Sequence, residues 1–186
     1  MRCHLTYNQE LRAKERAKEA INSPPSASFH LVLWMCWRLV ESIPNTIAKW
    51  TSTYEGKFKQ LFVSYGCSVA EFHRGCRPVL KFDTCLLTGY YRGHCLSASG
   101  HDAADGLYPL GYAIVSSEND EDWLWFLENL KEVVGGRHVV LVTDHNSSLL
   151  NNIIKGSRGE CNVWCLRHLK ENISTFISSK GLGNER

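Results

Sequence analysis

Two rhythms of apolar residues divide this chain, a helical one at its start and a strand-like one from Phe58 onward. Residues 8–21 (NQELRAKERAKEAI) join strong helix formers to alternating charge, which predicts a mostly solvated helix ended by the break Asn22-Ser23-Pro24-Pro25-Ser26. A second helix is predicted over residues 29–42, where Leu31, Leu33, Trp34, Trp37, Leu39 and Val40 leave most of its surface apolar and Pro44 closes it. After Phe58, LFVSYG reads as a short strand, VAEFHRG as a helical turn, and VLKFDTCLL (residues 79–87) as a largely apolar strand with one acid at its middle. HCLSASGHD and YPLGYAIVSSE continue as strands, joined by a turn through Asp102, Asp105 and Gly106.

The strongest helical pattern follows. Asn119 or Asp120 is placed to cap it, and Asp120, Glu121 and Asp122 lie near its positive end. Trp123, Phe126, Leu127, Leu130 and Val134 then repeat at helical spacing up to Gly135-Gly136. HVVLVTD (residues 138–144) is a β-branched strand ending in an acid, and Leu149, Leu150, Ile153 and Ile154 mark a short helix after it. A cysteine-containing link, a last helix over residues 166–178 and a frayed end complete the pattern. By physics alone this order is an α/β fold.

Composition narrows the reading only in places. With 186 residues, 44% of them hydrophobic, the chain can bury a core, so disorder is not the default. Twenty-one Lys+Arg against nineteen Asp+Glu give a formal charge of +2, so attraction to nucleic acid has to come from local clusters. The apolar stretch from His30 to Val40 is interrupted by Arg38 and is far shorter than the roughly 20 residues of a membrane span. No membrane partner and no signal segment are expected. The eight cysteines read as reduced thiols of an intracellular protein, with only the last pair spaced like metal ligands.

Two acids stand out. Asp83 sits inside an apolar strand, where a strand covered on both faces would make an uncompensated carboxylate costly. Asp144 ends its strand, where side chains project into the crevice beyond the carboxyl edge of a sheet. On neighbouring strands the pair could hold Mg²⁺ or Mn²⁺ ions roughly 4 Å apart. The alternative is that Asp83 bonds nearby backbone and Asp144 caps the helix after it. In ECNVWCLRHLKEN, Cys161, Cys165 and His168 are candidate Zn²⁺ ligands, although a closed structural site takes four; a buried thiol with a satisfied histidine is the other reading. Glu118, Glu121 and Asp122 are assigned to helix capping, Asp102 and Asp105 to a turn, and Trp123, Trp125 and Phe126 to the core rather than to base stacking. Arg74, Arg77 and Lys81, with Tyr90, Tyr91 and Arg92, form either a phosphate-contacting cluster or a solvated surface.

The stretch from Pro78 to Leu130 resembles the Mutator-like element transposase domain of plants. The motifs that carry the resemblance are the Asp83 strand, Leu-x-Gly-x-Tyr-x-Gly at residues 87–93, Gly100 with Asp102, Tyr108-Pro109, and Glu118-Asn119 followed by Trp123, Trp125, Phe126 and Leu127. LVTDHNSSLLNNI and CNVWCLRHLKENI extend it. The resemblance implies a ribonuclease H-like mixed sheet with flanking helices, an N-terminal helical segment over residues 1–57 and a core over residues 58–186, incomplete at the C-terminus. It further implies Asp83 and Asp144 as the first two acids of an Asp-Asp-Glu triad on Mg²⁺ or Mn²⁺, and Cys165 and His168 as the family's Cys-x-x-His insertion. Transposon-end DNA would be the partner, the location nuclear, and homo-oligomerisation is left open. The chain departs from the family where Asp-Gly-Thr-His becomes Asp83-Thr84-Cys85-Leu86 and Leu-Lys-Gly becomes Leu87-Thr88-Gly89. Glu171 stands too near His168 to be the third acid, so the resemblance implies a core fragment with weak or absent DNA cleavage. The competing reading is a domesticated DNA-binding regulator without catalysis, like the far-red-response transcription factors.

Overall fold

The computed structural model describes residues 6–22, 25–88, 92–143, 147–156 and 162–164. In chain order the elements are α1 (Tyr7–Asn22), α2 (Pro25–Ser42), β1 (Ile47–Ser52), β2 (Phe58–Ser64), α3 (Gly66–Arg74) and β3 (Val79–Leu87). They continue as β4 (Gly93–His101), β5 (Leu107–Val115), α4 (Asp120–Val134), β6 (Val140–Thr143), α5 (Ser147–Gly156) and β7 (Asn162–Trp164). The second helix begins four residues before the predicted Phe29, at Pro25, because proline fits the first helical turn, where its missing N–H costs nothing. The last predicted helix, over residues 166–178, lies outside the described residues.

The strands form one sheet in the order β1-β2-β5-β4-β3-β6-β7. β3, β4 and β5 are an antiparallel meander, while β6 runs parallel to β3 and β7 parallel to β6. A central antiparallel trio extended on one side by parallel strands is the ribonuclease H-like arrangement, and it accounts for the α4 crossover, since strands that run the same way cannot be joined by a hairpin. β1 and β2 add an antiparallel hairpin to the β5 edge. Neither β1 nor the three-residue β7 is among the strands expected from the sequence.

Alternation along β3 assigns the two faces of the sheet. Leu80 and Phe82 are 1% exposed and turn toward α4, whose Trp123 and Phe126 rings lie 6.3 Å from Phe82, both edge-on. Cross-strand register continues this helix-covered face: Thr84 pairs with Leu96, Leu96 with Ala113, and Ala113 with Phe62. Phe62 meets Phe126 at 5.8 Å, closing a core to which α5 adds Leu149 and Ile153. Gly111 keeps this contact close, since a Cβ there would stand 3.2 Å from the Phe62 ring. At the far end of the core, Arg137 donates to the Phe72 carbonyl and, at 2.6 Å, to the Cys76 carbonyl, with its guanidinium 4.7 Å over the Phe72 ring. That one cation ties the exit of α3 to the exit of α4.

α2 packs against β1 while exposing Leu31, Trp34, Trp37 and Val40, and among its described side chains Cys36 is the buried one. Among the described residues no helix is long and apolar enough to cross a membrane.

Candidate metal centre

The second face of the sheet is half exposed, and it carries Asp83. Lys81, Asp83 and Cys85 share this face of β3, with Ser97 of β4 directly opposite Asp83 and Tyr112 of β5 opposite Ser97. The carboxylate accepts a hydrogen bond from the Thr84 N–H at 3.0 Å, and the Ser97 hydroxyl donates to the Asp83 carbonyl at 3.2 Å. The dry, doubly covered strand expected from the sequence is therefore corrected. α4 shelters Leu80 and Phe82 from one side only; Asp83 is intermediate in burial, and Cys85 and Leu86 are exposed. A half-exposed carboxylate is less costly than a fully buried one, and its oxygens are of the hard type that divalent cations take as ligands.

Asp144 follows Thr143, the last residue of β6, and lies outside the described residues, as do Cys161, Cys165 and His168. What the structure does fix is the pairing that leads toward the two acids. β3 and β6 are parallel and in step, Val79 with Val140, Leu80 with Leu141 and Lys81 with Val142. Asp83 is two residues beyond the last of these pairs on one strand, and Asp144 is two residues beyond it on the other. Among the described residues no three His, Cys, Asp or Glu side chains gather into a metal-holding group.

The loop from β5 into α4 supplies a contact that periodicity did not reveal. Asn119 caps α4, its side-chain oxygen accepting from the Asp122 N–H at 2.8 Å. Asp122 is 2% exposed and locks the loop from within. It accepts from the Gln60 amide at 2.6 Å, the Asn119 amide at 3.0 Å, and Ser116 and the Ser117 N–H at 3.4 Å. Glu121 instead pairs with Lys59 at 2.5 Å on the surface, and that bond raises the lysine pKa. Glu118 accepts from the Thr84 hydroxyl at 3.0 Å and so ties the α4 loop to the residue after Asp83.

The other polar assignments hold as read. Asp102 closes its turn by accepting from the N–H groups of Ala104 at 2.9 Å and Gly106 at 2.7 Å. Asp105 takes the left-handed conformation, φ 67°, and pairs with Arg77 at 2.5 Å. Trp123 and Phe126 are core, with Trp125 packed against it. Arg74 pairs with Glu71 at 3.7 Å, so two of the cations considered for a phosphate cluster are held by acids, while Lys81 lies on the Asp83 face. Tyr90 and Tyr91 lie outside the described residues.

Compared with known families, residues 79–172 match the MULE transposase domain, an interval that begins at the first residue of β3 and contains both acids. No curated protein and no solved structure matches the chain.

Proposed function

Because the chain belongs to the MULE transposase domain family, we propose that it is a DNA-transposase core in which Asp83 and Asp144 together hold Mg²⁺ or Mn²⁺. A transposase-related function follows from the family itself. The metal assignment is supported above all by the in-step parallel pairing of β3 and β6, which counts the same two residues from Lys81 to Asp83 as from Val142 to Asp144. Parallel strands end side by side, which is how two strand-borne carboxylates come within reach of one cation.

The chemistry assigned to this centre is cleavage and joining of phosphodiesters at DNA ends. The cation, when bound, would activate the attacking hydroxyl and stabilise the departing oxygen. The chain's own share is positional. Asp83 presents a hard oxygen at a half-exposed strand position, Ser97 holds the carbonyl of the same residue, and the Thr84–Glu118 bond steadies the next one.

Binding of Mn²⁺, followed by electron paramagnetic resonance, tests the assignment on wild type, Asp83→Asn and Asp144→Asn. Each substitution is expected to weaken binding by more than the roughly 10–100-fold that loss of an outer partner of a metal ligand costs. Unchanged affinity in both variants, with the fold intact by circular dichroism, would refute the assignment.

A further inference from the structure

Beside Asp83, on the same half-exposed face, two thiols confront each other. Cys85 of β3 and Cys95 of β4 are direct cross-strand partners, and both are free. Cys85 is exposed and Cys95 is half-buried, with the Cys85 side chain near enough to raise the Cys95 pKa. Directly opposed residues of an antiparallel pair have Cα atoms about 4.5 or 5.5 Å apart, according to the bonding of the pair, and both separations lie inside the range that a disulfide spans. The remaining contact of the Cys95 sulfur, to the Leu96 carbonyl, is long at 3.9 Å and does not hold it elsewhere. Cys36 and Cys76 are buried, and among the described cysteines only Cys85 and Cys95 face each other across a strand pair.

We propose that Cys85 and Cys95 are a modification site, a dithiol that small-molecule disulfides such as glutathione disulfide convert to a cross-strand disulfide. The accessible Cys85 thiolate attacks one sulfur of the small disulfide, breaking its S–S bond, forming a mixed disulfide and releasing one small thiol. Cys95 then loses its proton and attacks the Cys85 sulfur, expelling the second small thiol. Two protein thiols are oxidised, one small disulfide is reduced to two thiols, and the two protons end on those thiols.

Burial first, then the charge and hydrogen bond of Cys85, push the Cys95 thiol up to about 11. The titratable groups around it on this face are Cys85 and Asp83 on β3 and Tyr112 on β5, whose own pKa is raised by burial and by Cys95. The resulting link would fasten β3 to β4 two residues from Asp83, on the side away from α4. This inference does not depend on the transposase reading.

The test uses the whole purified chain, incubated with glutathione disulfide and followed by intact mass and by non-reducing peptide mapping. Wild type is expected to lose two hydrogens, to yield a Cys85–Cys95 linked peptide pair and to revert with dithiothreitol. Cys95→Ser should stop at one glutathione on Cys85, and Cys85→Ser should form no link to Cys95. A lasting glutathione adduct at Cys85 in wild type, or a map that joins other cysteines and leaves these two reduced, overturns the proposal. The wild-type map decides the matter alone if either variant fails to fold.

Discussion

Gly66 shows how little freedom a single backbone position can have. A Cβ there would lie 1.8 Å from the Pro44 carbonyl oxygen, and the Gly66 N–H is already bonded to the buried Thr46 hydroxyl at 3.0 Å. The atoms in the way belong to the backbone of Pro44 and Asn45, so relief requires the backbone to move. Gly66→Ala is expected to cost more than about 2 kcal/mol in a urea unfolding experiment, whereas a loss under about 0.5 kcal/mol would mean that the α2–β1 turn gives way freely. Asp83 was legible at this scale because an acid inside an apolar run is conspicuous in any sequence. The Thr84–Glu118 bond was not. It joins residues 34 apart, and nothing short of the folded sheet brings the α4 loop to β3. The side-chain cap itself falls to Asn119, one of the two residues the sequence offered for it.

Among the elements, α4 was the easiest to read and carries the clearest consequence. Its cap, its acids near the positive end and its glycine stop all stand where the sequence put them. Removing the cap in Asn119→Ala should cost about 1 kcal/mol, seen as a fall in Tm of about 2–4 °C for a chain of this length. Asn119→Asp should keep most of that stability, because an aspartate also accepts at the cap. An equal loss in both variants would mean that the Asn119 amide bond to Asp122, rather than the cap, sets the cost. The core strands were visible for a related reason: each buries one face or both, and burial writes a period into the sequence. β1 escaped because its side chains past Ala48 are Lys49, Trp50, Thr51 and Ser52, exposed or half-buried at the sheet edge, with no apolar alternation to betray it. β7 is three residues long, shorter than any period can register.

At the scale of the whole molecule the charge is nearly balanced, and much of it is spent internally. Arg38, Lys49, Lys57, Lys59, Arg74 and Arg77 are all paired with acids. With a formal +2 overall, a DNA-binding surface has to be local, and Lys81 is the cation that β3 presents on the face of Asp83. If DNA lies along that face, Lys81→Gln should weaken binding alike for all sequences and reduce the slope of log affinity against log salt by about one. An unchanged slope would move the phosphate track off this face. The mixed sheet was legible as an α/β order, and its strand order only through the family resemblance, because local periodicity says nothing of which strands become neighbours.

β3 is bonded to an antiparallel strand on one flank and a parallel strand on the other, so it is gripped from two directions at once. A slide of one residue would carry Phe82 out to water and swing the carboxylate of Asp83 into the aromatic cluster beneath α4. The greasy side of the strand thereby acts as the ruler for its wet side. Mutations that loosen Trp123 or Phe126 should therefore blur where the acid stands long before the chain unfolds.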